Sequence, residues 1–225
     1  MTFWNQFERG RLLVDASLWS ADMTRFAAEI ERVEAYVDLY HIDVSDGHYT
    51  PGLLFFPDLV AALRPLTRRP FHVHLITLQP ALFIDDFIQA GADLVTIHIE
   101  AGQQALPALE TIRSAGKAAG LSLGLDAPLA SLEIFLPLLD VVLMMATPIG
   151  IKGVEPSPNA LPRLRAVRTL IEHAGLSNQV KIESDGGLRR HTVPHIYAAG
   201  AQVISPGSLI FKSPDLDDTT RWLRN

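Results

Sequence analysis

A (β/α)8 TIM barrel, an α/β fold, is the architecture this sequence predicts, and three observations predict it. Eight short β-branched or apolar runs recur along the 225 residues. Segments with apolar residues at helical spacing lie between most of them. Polar side chains gather towards the carboxyl ends of particular runs, where barrel sites are built. Strand–helix alternation with right-handed crossovers gives a parallel sheet, and eight units in 225 residues is about 28 residues each, the scale of a compact barrel. The alternative, an open doubly wound sheet, usually has fewer strands and a glycine-rich loop after the first. Here Asp15-Ala16-Ser17-Leu18 follows the first run and is not such a loop.

The first strand is read at Arg11–Val14, with an amphipathic segment over Met23–Val33. The second, Tyr40–Val44, leads to Asp58–Leu66, and the third, Phe71–Leu75, to Pro80–Ala90. The fourth, Leu94–Ile99, is followed by Leu106–Ala119, and the fifth is Leu121–Leu125. The sixth, Val141–Met145, precedes Ala160–His173; the seventh, Val180–Ser184, precedes His191–Ala199; the eighth is Gln202–Ser205. Glycine and proline are spread evenly and no linker interrupts the pattern, so one domain over residues 1–225 is expected.

Composition narrows the function. Hydrophobic residues are 48% of the chain and charged residues 20%, enough apolar surface to offset the entropy of folding. There is no cysteine, which excludes a disulfide scaffold and a thiolate zinc site and fits a reducing compartment. With 19 basic and 25 acidic residues the formal charge is −6, and no Lys/Arg run offers a nucleic-acid surface. No apolar run approaches the roughly 18 residues that span a bilayer. The opening MTFWNQFERG lacks the basic-then-apolar pattern of a signal peptide. No nucleic-acid or membrane partner is expected, and the cytoplasm is the expected compartment.

Parallel barrel strands are covered on both faces and should be apolar throughout. The second strand instead reads His41-Ile42-Asp43-Val44-Ser45, with His41 and Asp43 on one face. The third reads Phe71-His72-Val73-His74-Leu75, with both histidines on one face. The seventh ends Ile182-Glu183-Ser184-Asp185 before Gly186-Gly187. Taken singly, a His-x-Asp or His-x-His is a hydrogen-bonded structural pair, and an aspartate before two glycines shapes a turn. Taken together, two imidazoles and two carboxylates in one barrel mouth are costly to bury without a partner. A divalent cation is the economical partner, and mixed nitrogen and oxygen ligation suits zinc, iron, manganese or cobalt better than calcium. Zinc is the first expectation.

These segments carry a resemblance. Ser17-Leu18-Trp19-Ser20-Ala21-Asp22, His41-Ile42-Asp43-Val44-Ser45-Asp46-Gly47-His48, His72-Val73-His74-Leu75, Gly91-Ala92-Asp93, Thr96-Ile97-His98-Ile99-Glu100 and Asp185-Gly186-Gly187 resemble the ribulose-phosphate 3-epimerase family. Ala199-Gly200-Ala201 and Gly207-Ser208-Leu209-Ile210-Phe211 continue it, so order and spacing fit from about Leu12 to Phe211. The family is a metal-dependent TIM barrel that inverts carbon 3 of a ketose phosphate. The resemblance implies that His41, Asp43, His74 and Asp185 hold the metal, with Asp43 and Asp185 also the acid–base pair. It implies substrate contact by Ser17 and Met145, and a phosphate cradle of Gly186, Gly187, Gly207 and Ser208. It also implies a homo-oligomer, and it makes residues 1–10 an N-terminal extension in which Trp4 and Phe7 pack on the barrel itself or on a partner subunit.

Several positions depart from the family's pattern. Ser45 and Ile76 stand where methionine is usual, and His72 where aspartate is common. After the sixth strand, Pro148-Ile149-Gly150-Ile151-Lys152-Gly153-Val154 replaces a loop with three glycines; Gly150 and Gly153 remain, and Lys152 adds a cation at the phosphate end. Gly124-Leu125-Asp126-Ala127-Pro128 is also altered, and Leu54, Phe55 and Phe56 make the loop after strand two more apolar. The expected metal and acid–base residues are thus intact while the substrate-contacting shell differs. Lys152 is read either as a substrate-anion contact or as a solvated loop residue. His98 and Glu100 are read as supporting or structural residues, His72 as a satisfied core histidine or a hydrogen-bonding partner beside His74, and His48 as holding its loop. The expected activity is 3-epimerisation of D-ribulose 5-phosphate and D-xylulose 5-phosphate or a close relative. The alternatives are another sugar phosphate, such as allulose 6-phosphate or a tetrulose phosphate, and a non-catalytic sugar-phosphate binding protein.

Overall fold

The computed structural model describes residues 2–224; Met1 and Asn225, the ends of the expected domain span, lie outside it. Eight parallel strands close into a barrel in chain order: β1 Leu13–Ser17, β2 Leu39–Ser45, β3 Phe71–Ile76, β4 Leu94–His98, β5 Ala118–Leu123, β6 Val141–Met145, β7 Lys181–Asp185 and β8 Val203–Ile204. The helices are α1 Phe26–Val33, α2 Pro57–Leu63, α3 Ile84–Gln89, α4 Ala105–Ser114, α5 Ala160–His173, α6 Val193–Ala198, α7 Ser208–Phe211 and α8 Leu216–Arg224.

The termini of these elements follow local chemistry. Pro57 opens α2 where its missing N–H costs nothing. Acidic residues sit in the first turns of α3 (Asp85, Asp86) and α8 (Asp217, Asp218), against the positive end of the helix dipole. Between β5 and β6 the chain makes only two short 3₁₀ turns, Leu129–Leu132 and Leu136–Leu138, in keeping with the missing helical segment there.

Two strands sit elsewhere than the periodicity suggests. β1 begins two residues later than expected and runs through Ser17, so Asp15 is a strand residue and not part of a loop. β5 starts at Ala118, inside the segment read as helix, because Gly116 takes a positive φ of 72° and ends α4 at Ser114. Alanine carries little preference between the two states, so the Ala118-Ala119 pair is assigned by barrel pairing with β4. The polar strand residues are not confined to carboxyl ends: His41, His72 and Glu183 lie mid-strand, and a buried polar tier runs down inside the barrel.

The outward strand faces join the helices in one apolar core that includes Val14, Ile42, Val73, Ile97, Leu121 and Val142. The amino-terminal end of the barrel is closed by a second apolar cluster of Leu13, Leu39, Leu94, Ala118, Val141 and Val203, with Trp4 inserted among them. The Trp4 indole N–H donates to the Asp140 carbonyl at 2.6 Å. Trp4 and Phe7 therefore pack on the barrel of their own chain.

A repeated clamp fixes the same end. Asp38, Asp93 and Asp140 each precede an even-numbered strand and accept the backbone N–H of Val14, Phe71 and Ala119 on the strand before, at 3.0 Å in every case. Arg11, Arg64 and Arg113 pair with those carboxylates, and Gln202, before β8, accepts from Ile182 N–H at 3.3 Å. The rigid lower half leaves the carboxyl end of the barrel free to carry function.

Candidate active site

Alternation along β2, β3 and β7 turns His41, Asp43, His74 and Asp185 into the barrel, where one ligand atom from each comes within 4.8 Å of the others. The spacing is tight: His41 Nε2 lies 3.1 Å from Asp43 Oδ1 and 3.4 Å from His74 Nδ1, and His74 Nδ1 lies 3.2 Å from Asp43 Oδ1.

Hydrogen-bond partners assign the protons on both rings. His98 Nδ1 faces Glu100 Oε2 at 3.3 Å, and a carboxylate can only accept, so His98 carries its proton there. His98 Nε2 then accepts from His74 Nε2–H at 2.8 Å, leaving His74 Nδ1 bare. His41 Nδ1 faces Asp15 Oδ2 at 3.1 Å and donates to it, so Nε2 is the nitrogen free to face a cation once its own proton is displaced. Two ring nitrogens and a carboxylate oxygen thus converge. Ligands at about 2.0–2.1 Å from a tetrahedral zinc ion lie about 3.3–3.4 Å apart, close to the separations seen here. The donor set fits a divalent cation of the zinc, iron, manganese or cobalt kind.

The electrostatics agree with that geometry. Burial works to raise the Asp43 pKa, but His41 and His74 outweigh it and hold the carboxyl well below its usual range. Asp185 moves the other way: burial and the neighbouring Asp43 charge push it up to about 7. At neutral pH Asp43 is therefore ionised while Asp185 is poised to carry a proton. Burial lowers the His41 pKa, yet Asp43 and Asp15 more than reverse this and raise it well above 6.5, so without a cation the ring also carries a proton on Nε2, facing Asp43 Oδ1, and a bound cation would take that proton's place. His74 is lowered to about 3, chiefly by burial, and stays neutral.

A cavity of about 580 Å³ opens over this cluster. Asp43 and Asp185 line it; His41 and His74 are fully buried. Ser17, Met145, Gly150, Lys152, Gly153, Gly186, Gly187, Gly207 and Ser208 all line the same cavity. Gly187 has φ of 65°, and a side chain there would meet Pro156 at 2.6–2.8 Å, so the backbone is left bare beside the pocket. Lys152 Nζ donates to the Trp19 carbonyl at 2.5 Å and lies 4.0 Å over the Trp19 ring, tying the loop after β6 to the loop after β1.

Other expectations resolve case by case. His98 and Glu100 support His74 as described. His72 is fully buried and bonded on both nitrogens, to Asp15 Oδ2 and Thr96 Oγ1, each at 2.6 Å. The Ser45 hydroxyl donates to the Gly52 carbonyl at 2.8 Å, and Ile76 lines the cavity. The His48 ring is 85% exposed and lies 3.6 Å from Asp46 Oδ2; Asp46 ties the loop more closely, accepting His48 N–H at 3.0 Å and the Thr77 hydroxyl at 2.7 Å. Sequence reasoning gave no role to Asp15 or Glu183, nor to the cavity residues Trp19, Arg189 and Lys212. Asp15 had a signal: carrying the first strand to Ser17 puts Leu13, Asp15 and Ser17 on one face.

Known proteins share both fold and sequence. Solved structures of 3-hexulose-6-phosphate synthase (TM-score 0.67, 19% identity, 96% of this chain and 98% of that one) and of 3-keto-L-gulonate-6-phosphate decarboxylase from Vibrio cholerae (TM-score 0.68, 14% identity, 95% and 96%) have the same barrel. Closer in sequence are proteins named ribulose-phosphate 3-epimerase. The one from Synechocystis is 36% identical over 219 residues, covering 95% of this chain and 94% of its own. That from Treponema pallidum is 38% identical over 196 residues, covering 87% and 89%, and that from Bacillus subtilis is 34% identical over 203 residues, covering 90% and 93%. The family model described as "Ribulose-phosphate 3 epimerase family" matches residues 13–211, and the chain belongs to that family of isomerase-class carbohydrate epimerases.

Proposed function

We propose that the chain inverts carbon 3 of a ketose phosphate, D-ribulose 5-phosphate and D-xylulose 5-phosphate or a close relative, using Asp43 and Asp185 as the acid–base pair. The observation that carries this reading is that Asp43 from β2 and Asp185 from β7 line one cavity, over the cluster whose donor set fits a cation. Inversion needs a base on one face of a planar intermediate and an acid on the other, and the roles exchange with the direction of reaction.

His41, Asp43, His74 and Asp185 would hold a divalent cation, zinc the first expectation. When bound, that ion would supply Lewis-acid stabilisation of the charge that develops on the two oxygens beside the reacting carbon. The protein does the rest. Ser17 holds Asp43 by donating to Oδ2 at 3.0 Å. Met145 and Ile76 present apolar surface to the pocket, which limits water beside the intermediate. The bare backbone at Gly186, Gly187, Gly207 and Ser208 is the proposed phosphate seat. Cytoplasmic location, expected from the composition, and homo-oligomeric assembly, implied by the resemblance, belong to the same proposal.

A different sugar phosphate is the second reading, favoured by Lys152, Arg189 and Lys212 around the cavity. A non-catalytic binder has no use for both aspartates. A panel of pentulose, hexulose and tetrulose phosphates, followed by NMR in heavy water with metal analysis of the same sample, tests these. Epimerisation of a pentulose phosphate with deuterium entering at carbon 3 supports the first reading. Turnover of only another ketose supports the second, and binding without exchange rejects catalysis.

A further inference from the structure

Below the four proposed ligands lies a second polar group that shares His41 with them and whose other three members the mechanism above leaves without a task. Asp15, His41, His72 and Glu183 are all fully buried and each brings a ligand atom within 4.8 Å of the others. Such a set could be a second metal site or a hydrogen-bonded support. Distances decide. His72 Nδ1 and Asp15 Oδ2 are 2.6 Å apart, a hydrogen-bond length and well short of the roughly 3.3 Å between two ligands on one tetrahedral ion. His72 Nε2 is occupied as well, 2.6 Å from the Thr96 hydroxyl. Glu183 Oε1 accepts the Ser205 hydroxyl at 2.5 Å.

The proton accounting then closes on a single acceptor. Asp15 Oδ2 faces His41 Nδ1 at 3.1 Å and His72 Nδ1 at 2.6 Å, and a carboxylate there accepts from both. Two atoms of this tier lack a protein donor, Asp15 Oδ1 and Glu183 Oε2. Glu183 lies farther than Asp15 from the same two ring nitrogens, 3.6 Å from His41 Nδ1 and 3.4 Å from His72 Nδ1. A buried carboxylate with two ring N–H donors is stable where an unpaired one would not be.

We propose that Asp15 is a positioning residue for His41: it accepts the Nδ1–H, fixes the ring as the tautomer with a bare Nε2, and aims that nitrogen at the proposed cation. His72 holds Asp15 in turn, and this tier takes no metal of its own. The inference rests on the reading of His41 as a ligand. Groups that orient a ligating imidazole typically change metal affinity 10–100-fold when removed.

The test uses the intact chain labelled with ¹⁵N at histidine and loaded with zinc, together with zinc titration of the unaltered chain and of Asp15→Asn. The expected result is one zinc per chain, a proton on His41 Nδ1 and on His72 Nδ1, and affinity weakened 10–100-fold in the variant. A second tightly bound zinc that strips the proton from His72 Nδ1 would overturn the proposal, as would zinc affinity unchanged in Asp15→Asn. If the variant fails to fold, the unaltered chain still decides, because His41 protonated at Nε2 rejects the assignment. Failure of the underlying reading looks different: no zinc bound by the unaltered chain, with the His41 Nδ1–H still present.

Discussion

Ser17 donates its hydroxyl to Oδ2 of Asp43 at 3.0 Å, while Oδ1 of the same carboxylate faces the ring nitrogens of His41 and His74. The two oxygens are thus committed to different partners, and the hydroxyl fixes the plane of the carboxylate. Ser17→Ala leaves Oδ2 buried without that donor. We expect the variant to lose about 1–3 kcal/mol of unfolding free energy, measured in urea. We also expect kcat/KM to fall about tenfold or more, since about 1.4 kcal/mol is a decade in rate.

Asp185→Asn removes one member of the proposed acid–base pair and keeps its shape. A proton can then be exchanged on only one face of the substrate. Turnover should fall about 10²–10⁴-fold, and deuterium incorporation from heavy water should disappear for at least one of the two epimers. Retained exchange from both epimers would remove Asp185 from the chemistry, whatever the effect on rate.

The same variant has a signature in stability that needs no substrate. Asp185 is pushed up to about 7 in the folded chain, by burial and then by Asp43, against an ordinary value of 3.8. Between those pH values the folded chain keeps a proton that the unfolded chain has lost. This group's contribution to stability is therefore full below about pH 4 and declines as pH rises to 7. His74, lowered to about 3 chiefly by burial, acts in the opposite sense, adding stability as pH climbs from 3 to 6.5. The unaltered profile is flattened by this opposition. In chelator, Asp185→Asn should gain roughly 2–4 kcal/mol relative to the unaltered chain between pH 4.5 and 7.5, read from urea unfolding at the two pH values.

How far the sequence could be read depended on what fixes each feature. Strand alternation alone placed His41 with Asp43 and His72 with His74, because a period of two leaves no choice of face once the strand exists. The shared faces were legible for that reason, whereas the choice of His74 over His72, and of Asp185, as ligands came from the family resemblance. Asp15 was not, because a polar residue after Arg11–Val14 looks like the start of a loop, and only pairing with β2, Asp15 against Leu39, keeps it in the sheet. The aspartates before β2, β4 and β6 were equally silent. Their task, capping a neighbouring strand's N–H, exists only once the barrel has closed. The Lys152 contact with Trp19 joins positions 133 residues apart, and no local pattern encodes such a pair.

Trp4 gives the clearest separation of stability from activity. Its ring is 5% exposed, plugs the amino-terminal end of the barrel among Leu13, Leu39 and Val203, and stacks edge-on with Phe3. Trp4→Ala opens a cavity there and frees the Asp140 carbonyl from its indole donor. Large aromatic truncations of this kind cost about 3–5 kcal/mol, so the midpoint in urea should drop sharply. The proposed catalytic groups lie at the opposite end of the strands, so kcat under folding conditions should stay within about twofold, since the change leaves transition-state contacts in place. Because Trp4 packs inside its own chain, the elution volume on size exclusion should also be unchanged. A variant that kept its stability but altered its assembly would place the tryptophan at a subunit contact instead.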